Sequence, residues 1–308
     1  MARKLKTGKP KARRISPAAK LSTVEDVIRY GARRFNKAKL FYGHGTDNAV
    51  DEAAWLVLET LGLPVDGSAP LRRRLTEEQR KAVLAIIDRR VVTRKPAAYL
   101  LNKAYIQGLS FYVDERVIVP RSFIGELLVD FDLMRAPKKV LDLCTGSGCL
   151  AILAAHVFPF AAVDAVDLSA GALEVAKRNV TDHGLKKRVH LFKGNLFKPL
   201  KNKKYDLIIT NPPYVDAPAM KALPPEYRHE PEMALASGKD GLDIVRKILK
   251  EAPKHLTLEG GLLCEIGRGR EILEKEYPHL SFLWLDTALS EGEVFWLTRR
   301  QLVESQLF

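Results

Sequence analysis

Cysteine is scarce: Cys144, Cys149 and Cys264 are the three in 308 residues. An odd number with no Cys-x-x-Cys pair argues against a disulfide framework or a cysteine zinc site, and suits a reducing cytoplasm. The histidines are scattered without metal-ligand spacing, so no metal is assigned. No apolar run approaches the ~18 residues of a membrane span and nothing resembles a secretory leader, which gives no reason to expect a membrane partner. Acidic residues are rare at the beginning of the chain. Residues 1–40 hold 13 Lys/Arg against 2 Asp/Glu, so 11 of the 13 excess positive charges sit there and the remainder is nearly neutral. A basic arm of this kind suits a phosphate-rich partner such as RNA, through counterion release, and equally a solubilising disordered tail.

The length fits two domains. Residues 1–21, broken by Pro10 and Pro17, are expected to form a disordered arm. Residues 22–103 read as helical. Ser22 and Glu25 have capping-box spacing for a helix to about residue 39, and Asp47 opens a second that ends at Gly62. Thr76 and Gln79 form another capping box, with its helix reaching Thr93, and Pro96 starts a short helix. Over 104–137, alternation predicts a hairpin with strands at 106–113 and 117–119 around a turn at Asp114-Glu115-Arg116. A helix capped by Ser122 follows, through Phe131. From 138 onward strands alternate with helices, which predicts an α/β domain with a mostly parallel sheet. Strands are expected at 140–143, 162–166, 189–192, 205–209 and 261–266, with helices at 150–158, 170–183 and 243–256. Residues 281–286 and 294–298 are expected to pair as terminal antiparallel strands.

The fourth strand of that series runs into Asn211-Pro212-Pro213-Tyr214. Two prolines stop a strand because neither donates to a ladder, and the first holds Asn211 extended. The Asn211 side-chain oxygen and the Pro212 carbonyl can accept both N–H bonds of a planar amino group, with the Tyr214 ring covering its flat face. That arrangement orients a poor nucleophile, an amide or an exocyclic base amine, toward an electrophile. A proline-terminated loop with a packed tyrosine would read the same.

Asp142, Thr145, Gly146 and Gly148 lie in the turn between the first strand and its helix, where glycines let a ligand approach the backbone. Asp167 ends the second strand, where a carboxylate can accept from two ribose hydroxyls. Position 151 is Ala151, and no third glycine completes the Gly-x-Gly-x-x-Gly of dinucleotide binders. A glycine turn and a ribose acid without a pyrophosphate motif point to an adenosine ligand lacking phosphates, such as S-adenosylmethionine.

These motifs, in this order, resemble those of the Rossmann-like class I S-adenosylmethionine-dependent methyltransferases. Residues 22–308 more narrowly resemble the protein-glutamine N5-methyltransferases, and within them the subgroup acting on the third large-subunit ribosomal protein. Residues 41–48, 114–122, 142–149 and 226–232 carry that likeness. The resemblance implies a helical substrate-recognition domain over 22–103 and a catalytic domain over 138–308. It implies that Asn211, Pro212, Pro213 and Tyr214 hold the glutamine amide, and that Asp142, Thr145, Gly146, Gly148, Asp167, Leu168, Asn195, Leu196 and Asn211 hold the cofactor. Arg121 is expected to line the same cleft. Two residues depart from the family pattern: Asn195 stands where an aspartate is usual, and Phe123 where the subgroup often has proline. Methylation of release factors and adenine-N6 methylation of nucleic acid are the alternatives. The Tyr42-Gly43-His44-Gly45 loop and Pro120-Arg121-Ser122 disfavour the first, and the lack of a basic recognition stripe the second. His229 and Glu230 read as a structural or substrate-loop pair rather than an acid and base. The sequence leaves the oligomeric state open.

Overall fold

The structure is a computed structural model that describes residues 21–304; the arm expected over 1–21 lies, apart from Leu21, outside the described residues. The chain divides into two compact units. One takes residues up to Leu40 together with Asn48–Thr93, and the other takes Phe41–Asp47 together with the chain from Arg94 onward.

The first unit is helical: α1 (Val24–Lys37), α2 (Ala49–Thr60) and α3 (Glu77–Thr93). Each helix starts where a side chain satisfies its free N–H groups. Two of the starts differ from expectation by one residue. Thr23 and Asp26 form the first capping box, since Asp26 reaches back to the N–H groups of both Thr23 and Ser22. Asn48, not Asp47, caps α2 by accepting from Val50 and Asp51. Thr76 and Gln79 form their box as expected. Val24, Val27, Ile28, Gly31 and Phe35 turn one face of α1 inward. Gly31 brings α1 close to its neighbours: a Cβ there would lie 3.1 Å from Ala53 and 3.2 Å from Ile87. Arg90 and Glu52 pair at 2.6 Å in this core, both fully buried.

The second unit begins with α4 (Ala97–Leu101) and a small hairpin of β1 (Ala104–Ile106) and β2 (Leu109–Phe111). The hairpin turns at Gln107 and Gly108, whose φ angles of 46° and 75° suit a two-residue turn. The turn expected at Asp114–Arg116 exists, with Arg116 N–H donating to Asp114, but it joins no strands. After α5 (Ile124–Val129) comes a seven-stranded sheet of order β5-β4-β3-β6-β7-β9-β8. Its strands are β3 (Lys139–Leu143), β4 (Ala162–Asp167), β5 (Val189–Lys193), β6 (Tyr205–Thr210), β7 (Leu256–Glu265), β8 (Leu283–Thr287) and β9 (Ser290–Thr298). β5 through β7 are parallel, and β9 runs antiparallel between β7 and β8.

Alternate side chains feed two cores. Val140, Val163, Leu207 and Leu263 pack with α5 and α6 (Cys149–Val157) on one face. Leu141, Val166, Ile208 and Leu262 pack with α9 (Asp243–Glu251) on the other. The helix α9 is shorter than expected and β7 longer. Pro253 cannot continue the hydrogen-bond ladder of α9, and the strand starts at Leu256, five residues before Gly261. The remaining helices are α7 (Ala170–Asp182), α8 (Ala217–Ala222), α10 (Arg270–Glu276) and α11 (Arg299–Glu304). Strand order reverses between β3 and β6, and the loops leaving the carboxyl ends of the parallel strands gather at that switch point. No described helix is long and apolar enough to cross a membrane.

Candidate active site

The turn after β3 is held from behind. Asp142 Oδ2 accepts from Thr145 Oγ at 2.5 Å and from the Ala151 N–H at 3.1 Å. Burial pushes the Asp142 carboxyl up to about 7. Gly148 takes φ 81°, and a Cβ on it would meet Ala176 at 3.2 Å, so glycine there serves helix packing. Asp142, Thr145 and Gly148 thus shape the turn without lining the cavity in front of it. Gly146 does line it: its φ is 55° and a Cβ would find nothing within 4 Å, which leaves the backbone open to a ligand.

That cavity has about 780 Å³ of space, its open mouth included. Gly146, Asp167, Leu168, Asn195, Leu196, Asn211 and Pro213, all singled out from the sequence, lie in its wall. Asp167 is fixed there by two N–H groups, Gly146 donating to Oδ2 and Ser169 to Oδ1, each at 2.8 Å. Burial raises its carboxyl above the usual range, against those hydrogen bonds. Arg116, Val117 and Ile118, from the 114–122 stretch, also line it, as do Met233, Ala234 and Ile244, which no motif marked. Cys144 also lines it, and burial pushes its thiol up, so it is a neutral wall residue and not a nucleophile.

A second cavity lies beside the first. Arg121, Pro212, Tyr214, Leu223, Tyr227 and Leu235 line it, and Ile118, Asn211 and Ala234 line both. The double-proline corner therefore divides two spaces, with Pro213 in the wall of one and Pro212 and Tyr214 in the wall of the other. Val215 N–H donates to Leu235 O, and Ser237 N–H to Val215 O, which ties this corner to the loop beyond α8. Tyr214 is wedged by glycines: a Cβ on Gly241 would lie 2.3 Å from its carbonyl oxygen, and one on Gly267 2.9 Å from its ring. Burial and neighbouring Glu265 raise its phenol, which stays protonated.

Arg121 sits in the second cavity and not the first. Its guanidinium donates twice to the buried Glu230 carboxylate, both at 2.6 Å, and Glu230 also accepts from Val119 N–H at 2.9 Å. Against the cost of burial, His44 and Arg121 hold the Glu230 carboxyl down at about 2. Glu230 is thus a permanently charged brace. Tyr227 falls in the 226–232 stretch that carries the family likeness but was assigned no site role, because it lies on a short 3-10 turn, Pro225–His229, with no apolar period to mark it. Among the described residues no group of three or more His, Cys, Asp and Glu side chains is arranged to hold a metal.

A methyltransferase small-domain family model matches residues 125–223. The ribosomal protein uL3 glutamine methyltransferase of Bradyrhizobium diazoefficiens is 58% identical over 294 residues, covering 92% of each chain. Its counterpart from Neisseria meningitidis serogroup B is 54% identical, over 93% of this chain and 96% of that one. The counterpart from Burkholderia pseudomallei is 53% identical, over 91% and 95%. This chain belongs to the ribosomal protein uL3 glutamine methyltransferase family. It is an enzyme of methyltransferase type, and the mostly parallel sheet with its antiparallel β9 is the class I fold the sequence led us to expect. Membership at this identity over nearly the whole chain supports the glutamine methyltransferase reading over both alternatives.

Proposed function

We propose that this enzyme transfers a methyl group from S-adenosylmethionine to the side-chain amide nitrogen (N5) of a glutamine in ribosomal protein uL3, in the cytoplasm. The observation that carries this is the position of Asn211, which lines two adjoining cavities at once. Donor and acceptor need adjoining spaces, and a residue facing both can orient one toward the other.

The first cavity suits an adenosyl group. Its wall is mainly apolar around one carboxylate, Asp167, with an open backbone at Gly146 and a polar side chain, Asn195, at the rim. Asp167 would hold the ribose hydroxyls, Asn195 the adenine amino group, and Leu168 and Leu196 the faces of the base. Arg116 is the one basic residue there and is already bound by Asp114 at 2.6 Å and 2.9 Å, so little invites a phosphate. When bound, the donor supplies a methyl group activated by its sulfonium.

The acceptor amide belongs in the second cavity. The Asn211 side-chain oxygen and the Pro212 carbonyl would accept its two N–H bonds, while Tyr214 packs against its plane. The nitrogen turns acidic as it gains the methyl, so water suffices to take the proton. Positioning, not base catalysis, supplies the acceleration. This agrees with the wall residues: Tyr214 stays protonated and Arg121 stays charged. The basic segment over residues 1–21 would contact ribosomal RNA when the substrate is presented on an assembling subunit.

The test is incubation with methyl-labelled S-adenosylmethionine and ribosomal proteins, release factors and nucleic acid from a strain lacking this enzyme. Mass spectrometry should find one N5-methylglutamine in uL3. Label confined to release factors or to adenine would overturn the assignment.

A further inference from the structure

The loop Phe41–Asp47 interrupts the helical unit in sequence yet belongs to the sheet-bearing unit, and nothing in the proposed chemistry uses it. Three of its residues meet the segment around Tyr227. Phe41 N–H donates to the buried Glu226 carboxylate at 3.0 Å, and the Phe41 ring lies 5.8 Å from that of Tyr227. A Cβ on Gly43 would touch the Tyr227 hydroxyl at 3.4 Å, and the φ of 120° keeps the position glycine. His44 is the third. Its side chain is 1% exposed, its ring lies 4.5 Å from the Tyr227 ring, and Nε2 is 3.6 Å from Glu230 Oε2. Its Nδ1 has no hydrogen-bond partner among the described residues.

Burying an imidazole with an unmet nitrogen opposes folding, and such a group calls for an explanation. The arrangement around it supplies one. The Tyr227 ring meets both the His44 ring and the Arg121 guanidinium, which is 5.4 Å from its centroid. Glu230 likewise meets His44 with one oxygen and Arg121 with both. Tyr227 and Arg121 line the second cavity together with Asn211 and Tyr214. His44 therefore touches neither reacting group but backs both residues of one cavity wall.

The geometry points to His44 as a positioning residue for acceptor recognition: through Tyr227 and Glu230 it sets where the Arg121 cation and the Tyr227 ring meet the polypeptide that carries the methylated glutamine. This rests on the assignment of the second cavity to the acceptor. The Tyr42-Gly43-His44-Gly45 stretch and the Glu226–Glu232 stretch thus pack together behind one wall. Specificity for the protein substrate then lies partly in a loop more than 160 residues upstream of the Asn-Pro-Pro-Tyr corner.

The test is steady-state methylation of purified uL3 by the full-length enzyme carrying His44→Ala or His44→Gln, with S-adenosylmethionine affinity measured by calorimetry. His44→Ala should raise KM for uL3 at least ~10-fold, hold kcat within ~3-fold of wild type and leave the donor Kd unchanged. His44→Gln, whose amide can reach Glu230, should recover most of that KM. An unchanged KM in His44→Ala, or equal losses in KM, kcat and donor Kd, would overturn the inference. If His44→Ala does not fold, His44→Phe, which keeps a ring against Tyr227 but cannot donate to Glu230, must show the same split. A wild-type enzyme unable to label uL3 refutes the parent assignment. One that labels it while the variants keep the wild-type KM refutes only the role of His44.

Discussion

Tyr214 Oη donates to Glu265 Oε1 at 3.4 Å, while Glu265 Oε2 accepts from Ser122 Oγ at 2.7 Å and Phe123 N–H at 3.0 Å. One carboxylate at the end of β7 thus joins the double-proline corner to the start of α5. Phe123 uses its N–H for this bond, which a proline at that position could not make.

Burial pushes the Glu265 carboxyl up to about 7 from its ordinary 4.5, despite those donors. A folded value above the unfolded one gives stability that is complete below 4.5 and lost as pH rises through about 7. The gap corresponds to roughly 3 kcal/mol. We expect Tm to fall between pH 5.5 and 8.5, and Glu265→Gln to flatten part of that slope. Asp142, also held at about 7, accounts for a further share. Equal slopes in wild type and Glu265→Gln, measured by thermal unfolding, would contradict this.

Asn211→Ala should lower kcat by ~10²–10³-fold, the scale for losing one group that orients reactants. The donor Kd should stay within a few-fold, because Gly146, Asp167 and Asn195 remain. Single-turnover rates with calorimetry separate the two. A parallel loss of donor binding would mean that Asn211 serves the first cavity alone.

The order of elements was legible because the parallel strands leave short apolar runs between helical stretches, even where, as in α6 and α9, no side chain caps the helix. Residues 104–113 were not, because one alternating run concealed a two-residue turn at Gln107 and Gly108. In the site, polar letters at strand ends could be seen but not which way they point. Asp142 and Asp167 look alike in sequence, yet one braces the turn from behind and the other faces the cavity. Tyr227 and Met233 reach the site from irregular loops after β6, where no period marks an inward side chain.

Asp167→Ala should weaken donor binding by ~10–100-fold, the range for losing a hydrogen-bond partner to charge. Asn195→Asp places a stronger acceptor in the wall of the same cavity and should tighten binding a few-fold. Calorimetric titration with S-adenosylhomocysteine checks both. Tighter binding on removal of Asp167 would rule out its ribose role.

Gly241→Ala tests whether the corner must be rigid. The new Cβ would lie 2.3 Å from the Tyr214 carbonyl oxygen, at a φ of 84° that side chains rarely adopt. Backbone cannot yield as a flexible side chain does, so strain of ~1–3 kcal/mol should combine with a displaced Tyr214. Gly62→Ala is the control, since φ is 63° and nothing lies within 4 Å. Both variants should lose stability to the left-handed backbone, but only Gly241→Ala should lose kcat, by ~10-fold or more. Equal activity in the two, at matched Tm loss, would show that the Tyr214 position is not what the glycine protects.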